Sequence, residues 1–173
     1  MLANKLIKLH LGCGQDYWKG YVNIDLDVKS KADVVADLCD IGAIYKTAEI
    51  EEVVMIHSLS YLRLWQARIL FKDIFKLLKP GGRFVAEFPD LKKCAELILR
   101  GGDFYFKGLG GLYAFDERYI SEKVKFTPYA YGWSALDLVK ELRACGFFRA
   151  WVQDPQTHGN REWRDSRVEA FKV

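Results

Sequence analysis

The sequence predicts an α/β fold built on a doubly wound, mostly parallel seven-stranded sheet with an antiparallel C-terminal strand and helices on both faces. Short, mostly apolar runs recur along the chain, and such runs are typical of strands that are buried on both faces. A clear amphipathic segment separates the first four runs from the later ones. The last two runs have no helix between them, which favours an antiparallel pair.

Each strand and helix has a recognisable boundary. The seven predicted strands are residues 6–11, 21–25, 33–37, 51–57, 83–88, 147–153 and 167–173. The clearest helix covers residues 64–78, where apolar side chains recur at helical spacing until Pro80-Gly81-Gly82 turns the chain. Shorter helices are expected at residues 91–99 and 134–145, and each is followed by glycine.

Residues 101–133 differ in composition from the rest of the chain. Glycine and aromatic residues dominate there, and neither a helical nor a strand period is sustained. We therefore expect an irregular insertion over the sheet, within a single domain that covers residues 1–173. Because aromatic side chains can hold sugars and planar rings, Tyr131 and Trp133 are candidate substrate contacts.

Composition and charge favour a folded protein with small partners. The chain has 173 residues, half of them apolar, which is enough for one core. Its net charge of +3 and pI near 8.6 are mild for a nucleic-acid binder. Four scattered cysteines predict free thiols in a reducing compartment and no metal site. Because no stretch is typical of a signal peptide or membrane span, we expect a cytoplasmic protein without a membrane partner.

A glycine loop followed by an acidic strand end is the main functional signal. The first strand stops at Gly12-Cys13-Gly14, and the second stops at Asp25. Glycine lets the backbone turn sharply and approach a ligand, and a carboxylate accepts hydrogen bonds from a ribose diol. In an open parallel sheet, this combination predicts a nucleoside site above the strand ends. A dinucleotide is disfavoured, because Tyr17 replaces the third glycine of that fingerprint and Asp25 follows too soon.

Together with two later motifs, this loop resembles motif I of the class I S-adenosylmethionine-dependent methyltransferases. The block Leu77-Leu78-Lys79-Pro80-Gly81-Gly82-Arg83-Phe84 is similar to the L-K-P-G-G turn of that family and follows in the same order. The helix before Gly146-Phe147 and the two last strands resemble the family's terminal hairpin. The resemblance covers the whole chain and implies a compact, stand-alone, Rossmann-like methyltransferase of undefined substrate.

The resemblance implies S-adenosyl-L-methionine as the cofactor, S-adenosyl-L-homocysteine as the product and direct in-line transfer of the methyl group. Carried over by position, the expected cofactor contacts are Gly12, Cys13, Gly14, Asp25, Leu26, Asp37, Leu38 and His57. Asp25 would bind the ribose, with Asp27 as a nearby competitor, and Asp37 with Leu38 would bind the adenine, a role that Asp40 could also take. His57 follows the fourth strand, near the transferred methyl group, and is the candidate general base.

The expected substrate contacts lie later in the chain. Asp90 follows the fifth strand and is a second candidate base, as is His158 in the loop between the last two strands. Arg161, in the same loop, is a candidate contact to an anion or a sugar. Ser60-Tyr61 stands where relatives often have a Glu-His pair, so no catalytic carboxylate is expected there.

These observations leave several functions open. The first is a methyltransferase acting on a small molecule or a glycan. The second is an RNA methyltransferase, for which a stronger basic face would be expected. The third is a methyltransferase fold kept as a non-catalytic binding or partner protein, which the missing Glu-His pair favours. A dehydrogenase is the least favoured, because of Tyr17. The sequence makes no prediction of the oligomeric state.

Overall fold

The fold is organised around one seven-stranded sheet. The computed structural model describes residues 6–45, 49–114, 127–159 and 161–173. The strands are β1 (Ile7–Leu11), β2 (Val22–Asp25), β3 (Val34–Val35), β4 (Ile50–Ile56), β5 (Leu78–Pro89), β6 (Arg149–Gln153) and β7 (Asp165–Phe171). Their order is β3-β2-β1-β4-β5-β7-β6, with β1 to β5 parallel and β7 antiparallel to both β5 and β6. The predicted doubly wound sheet with its antiparallel C-terminal end is confirmed.

The structure differs from the sequence prediction at the start of β5. This strand begins at Leu78, which pairs with Ile50, and the pairing then shifts and resumes between Glu52 and Arg83. The intervening turn is held by the residue that follows β7: the backbone carbonyl of Lys172 accepts a hydrogen bond from the Gly81 N–H at 2.7 Å. The Pro-Gly-Gly turn therefore interrupts the strand instead of preceding it.

Five helices lie in the described part of the chain: α1 (Ile41–Ile44), α2 (Leu64–Leu77), α3 (Leu91–Arg100), α4 (Asp103–Tyr113) and α5 (Ala135–Ala144). The apolar sides of α2 and α5 share one buried core with alternate residues of the strands. Within it, the Phe71 ring lies 5.9 Å from Phe84 and 5.8 Å from Trp133. In the described ranges every helix is too short or too polar to span a bilayer.

The predicted irregular insertion at residues 101–133 is wrong over residues 103–113, which form helix α4. Residues 127–132 form neither a helix nor a strand, and residues 115–126 lie outside the described ranges. The glycines of α4 interrupt the apolar period, but they also form the contact with α3. A Cβ added at Gly108 would lie 2.5 Å from the Cys94 carbonyl oxygen, and one at Gly111 would lie 2.5 Å from Cys94 Sγ. The helices approach so closely because these positions have no side chain.

The opposite face of the sheet carries a series of ion pairs that we call the ion-pair row. Its members alternate with core residues along β1, β4, β5 and β7, as strand geometry requires. In spatial order they are Lys8, Glu52, Arg83, Glu169, Arg167 and Glu87. The Arg167 guanidinium donates to Glu169 at 2.7 Å and to Glu87 at 2.6 Å. Buried charges are expensive without a partner, so each carboxylate here depends on its cation.

The glycine contact between α3 and α4 generates a stability prediction. The new methyl group of Gly108→Ala would overlap a backbone carbonyl, which costs about 1–3 kcal/mol. The gain in helix propensity offsets about 1 kcal/mol of this, so the free energy of unfolding should fall by up to about 2 kcal/mol. Urea denaturation of the purified variants measures the change.

The matched control is Gly42→Ala in α1. The three atoms nearest to its added Cβ all belong to the Asp73 carboxylate, the far end of a flexible side chain that can turn away. We expect this variant to stay within about 1 kcal/mol of the wild type. If Gly108→Ala were as stable as Gly42→Ala, the close packing of α3 on α4 would be wrong.

Candidate functional site

The carboxyl ends of the parallel strands bring the sequence-predicted residues to one edge of the sheet, which we call the carboxyl edge. The glycine loop follows β1, Asp25 ends β2, His57 follows β4 and Asp90 follows β5. Strand β7 runs in the opposite direction, so its first residue, Asp165, lies at this edge and pairs with Pro89. Ligands of open α/β sheets bind at such an edge.

The glycine loop is fixed between β2 and the segment after β4. Gly12 has φ +70°, and its N–H donates to the Ile24 carbonyl at 2.7 Å. A Cβ at this position would lie 2.3 Å from Ser58 Cβ, whose hydroxyl donates to Leu11 at 2.7 Å. Gly14 has φ +52°, and among the described residues nothing lies within 4 Å of a Cβ placed there. The loop is thus tightly held on one side and open at Gly14.

Asp25 presents its carboxylate beside this open space. The Gly14 N–H donates to Oδ2 at 2.7 Å, and the Asp27 N–H donates to Oδ1 at 2.8 Å. Each oxygen keeps further acceptor capacity, since an ionised carboxylate has about four lone-pair positions. The geometry suits a pair of hydroxyl donors such as a ribose diol. Leu26 follows with 65% of its surface exposed.

Three other predicted cofactor contacts have structural roles at their side chains. Asp37 caps a one-turn helix by accepting the Cys39 N–H at 2.9 Å. Leu38 is buried in the core, so little of its side chain remains for an adenine ring. Cys13 is also buried, and burial raises the pKa of its thiol to about 11. These residues can therefore meet a ligand mainly through backbone atoms or partial contact.

His57 occupies a strained position at the end of β4. Its φ is +54°, a left-handed conformation that is uncommon for residues other than glycine. The backbone N–H of His57 donates to the backbone carbonyl of Glu87 at 2.8 Å, and this bond holds the turn against β5. The ring Nε2 lies 2.8 Å from Asp165 Oδ2, and 19% of the side chain remains accessible.

Asp165 is the partner that the sequence analysis missed. It is almost fully buried, and burial raises its pKa, but hydrogen bonds from His57 and Arg164 outweigh this and lower the pKa to about 2. Arg164 donates to both carboxylate oxygens, at 2.6 and 3.1 Å. The missed signal is an acidic residue between two arginines at the start of the last strand.

His158 meets His57 across the site. The two rings lie edge to face with centroids 4.8 Å apart. Glu87 holds the loop before His158 by accepting the N–H of Gln156 at 2.8 Å and of Thr157 at 3.0 Å. Burial lowers the pKa of His158, and the proximity of His57 and Arg161 lowers it further. The exposed Arg161 therefore lies close enough to influence this ring.

Asp90 and Trp133 do not have the roles that the sequence predicted. Asp90 is buried and caps two helices, since Oδ1 accepts the Lys92 N–H at 2.8 Å and Oδ2 accepts the Ala135 N–H at 3.0 Å. Trp133 is 1% exposed inside the core. Both side chains are therefore engaged within the fold. Tyr131 is partly buried against Trp133, at 4.8 Å between ring centroids.

Comparison with known proteins identifies the fold. No protein-family model matches the chain, and no curated protein matches it. A S-adenosylmethionine-dependent methyltransferase from Methanosarcina mazei is similar with a TM-score of 0.64 at 18% identity, covering 96% of this chain and 92% of that one. One from Mesorhizobium loti gives 0.63 at 15% identity, with 96% and 91% covered. A possible histamine N-methyltransferase from Thermotoga maritima gives 0.61 at 12% identity, with 99% and 84% covered. The chain therefore has the Rossmann-like fold of class I methyltransferases.

The buried Asp165 carboxylate generates a prediction for acid stability. Its pKa is about 2 in the folded protein against 3.8 for an isolated group, so its contribution is present above about pH 4 and is lost as the pH falls towards 2. Urea denaturation of the wild type should therefore show stability falling over this range. In Asp165→Asn this part of the pH dependence should disappear. An equally steep loss of stability in the variant would contradict the assignment.

Proposed function

We propose that this protein is a S-adenosylmethionine-dependent methyltransferase that transfers the methyl group in line to a small molecule or a glycan. The observation that carries the proposal is the pairing of the open glycine loop with Asp25, on a fold shared with such enzymes. Asp25 is held by two backbone N–H groups beside the empty space at Gly14. This arrangement suits a ribose and leaves room for the rest of the nucleoside.

The residues at the carboxyl edge fit this cofactor. The carboxylate of Asp25 would accept from the ribose hydroxyls, and the exposed side chain of Leu26 would cover part of the adenine. Backbone N–H groups of the glycine loop can receive the cofactor's carboxylate. When bound, the cofactor supplies a methyl group on a positively charged sulfur. The protein's own contribution to such a displacement is alignment of the acceptor and exclusion of water.

The fold alone does not select the acceptor. The Thermotoga maritima protein is described as a possible histamine N-methyltransferase, which points to an amine. In this chain the groups near the predicted methyl position are His57, Asp165 and His158 instead of a Glu-His pair after β4. This set of titratable groups favours an enzyme over a non-catalytic binding protein. The mild charge of the chain favours a small acceptor over RNA.

Cofactor binding is the direct test. Isothermal titration calorimetry should detect binding of S-adenosyl-L-methionine and S-adenosyl-L-homocysteine and no binding of NAD. Asp25→Ala should weaken the affinity about 10- to 100-fold, because hydrogen bonds to a charged group contribute about 1.5–3 kcal/mol. The melting temperature of each variant shows whether it is folded.

Asp27→Ala provides the control, since this exposed carboxylate lies two residues further along and accepts the Lys29 N–H. Its affinity for the cofactor should match that of the wild type within about twofold. An unchanged affinity in Asp25→Ala would remove Asp25 from the site. Absence of binding by the wild type would refute the proposed function.

A further inference from the structure

We infer that His57 is the general base of this site, that Asp165 and His158 position it, and that the acceptor atom is the oxygen of a hydroxyl group on a phenol or a sugar. The inference rests on the proposed function and extends it to the substrate class. It is carried by the contacts of four residues: His57, Asp165, His158 and Glu87. They lie directly after β4, in β5, at the start of β7 and in the loop before β7, and they meet at the carboxyl edge.

The hydrogen bond between His57 and Asp165 determines which ring nitrogen carries the proton. Asp165 is buried and ionised, and an ionised carboxylate only accepts hydrogen bonds. His57 Nε2 therefore donates, and in the neutral ring the lone pair lies on Nδ1. Among the residues that the structure describes, Nδ1 has no hydrogen-bond partner. A neutral imidazole held in one tautomer with one free nitrogen is the state that a general base requires.

The surroundings fix the ring as well as its proton. The strained backbone at His57 is held by its N–H bond to Glu87, and such strain often accompanies functional positions. The His158 ring presses edge-on against the His57 ring. Arg164 holds the Asp165 carboxylate through two hydrogen bonds. Gly111 leaves room for the Arg164 side chain, since a Cβ at position 111 would lie 3.0 Å from Arg164 Cδ.

The presence of a base favours an acceptor group that must lose a proton during the reaction. A neutral amine has a lone pair and attacks a methyl group without losing a proton first, whereas a hydroxyl must lose its proton as it attacks. Flat apolar side chains lie nearby: Tyr61 and Tyr129 form an edge-to-face pair at 4.8 Å. Burial raises the pKa of the Tyr129 hydroxyl. The charge of Arg164 lowers this pKa and that of Asp165 raises it, so both residues lie close to Tyr129. Aromatic rings of this kind accommodate a phenol or the face of a sugar.

The step balances without another reactant. The hydroxyl oxygen forms a bond to the methyl carbon, and the carbon–sulfur bond breaks with its electron pair going to sulfur. The hydroxyl proton moves to His57 Nδ1 and gives an imidazolium, whose charge the Asp165 carboxylate stabilises. The positive charge that leaves sulfur thus reappears on the ring, next to a buried anion. Solvent then takes the proton through the accessible part of His57.

The first test measures the acceptor and the rate with the full chain. Methyl transfer from S-adenosyl-L-methionine is followed with catechol and methyl glucoside as hydroxyl acceptors and with histamine and benzylamine as amine acceptors. Mass spectrometry should find the methyl group on oxygen. Asp165→Asn should lower kcat by a factor of about 100 or more with little change in KM, since general bases contribute about 10²–10⁴-fold. Calorimetry should find its cofactor affinity unchanged.

Two further variants make the result decisive. His57→Asn removes the base, and asparagine tolerates the left-handed backbone at this position. Because Asp165 itself is unchanged, this variant tests the loss of the base without substituting the buried carboxylate. It should lose as much activity as Asp165→Asn. Glu162→Gln changes an exposed carboxylate in the loop before β7. The Glu162 backbone carbonyl, which the substitution leaves in place, accepts from Lys93, so this variant should retain wild-type kcat.

The second test observes the proton itself. Nitrogen-15 NMR of histidine-labelled protein should show His57 protonated at Nε2 and bare at Nδ1, and Asp165→Asn should produce a mixture of the two tautomers. A proton on Nδ1 in the wild type overturns the inference. If cofactor binding persists, the inference is also overturned when only the amines are methylated, or when neither hydroxyl acceptor is methylated. Loss of cofactor binding by the wild type would instead refute the proposed function, so the two failures are distinguishable.

Discussion

The buried carboxylate of Glu87 is the contact on which both halves of the site depend. Burial opposes its ionisation, but hydrogen bonds from the Gln156 backbone, the Arg167 guanidinium and Thr157 outweigh this and lower its pKa. Its side chain holds the loop that carries His158, and its backbone carbonyl holds the turn that carries His57. One residue on a central strand therefore determines that the two histidines meet. Removing its charge would leave the buried Arg167 paired with Glu169 alone among the described carboxylates and would weaken the acceptor that holds the loop.

The ion-pair row extends this arrangement across the sheet. Glu87 is its last member, and the row continues through Arg167 and Glu169 to Arg83 and Glu52. The core on the other face is apolar, so the two faces are stabilised by different interactions. Apolar packing is tolerant of small displacements, whereas paired buried charges require close geometry. The charged face thus sets the relative positions of the strands whose ends form the site.

Most of the fold could be predicted because its signals are local. The apolar runs, the amphipathic helix and the glycine loop each depend on neighbouring residues, and the structure has strands and helices there. Helix α4 was missed because its glycines, which serve a contact with α3, also erase the apolar period. The pairing of His57 with Asp165 was missed because it joins residues 108 positions apart. Only the strand order brings them together.

The same limit explains Asp90 and Trp133. A polar residue at a strand end and an aromatic residue after a glycine-rich segment are consistent with either a ligand contact or a structural role. Asp90 turned out to cap two helices because their first turns meet at this strand end. Trp133 turned out to fill the space between Phe71 and Tyr131. Local sequence could not distinguish these roles, since each depends on what approaches from elsewhere in the chain.

The reversed direction of β7 has a consequence for how this protein could diversify. Because β7 starts where the parallel strands end, the loop between β6 and β7, described at residues 154–159 and 161–164, reaches the carboxyl edge on one side of β4, while the glycine loop and Asp25 belong to strands on the other side. Insertions or exchanges in that loop would alter which acceptors enter without touching the residues proposed to hold the methyl donor. Choice of the acceptor and binding of the methyl donor would then depend on separate stretches of the chain, so one could change during evolution while the other is retained.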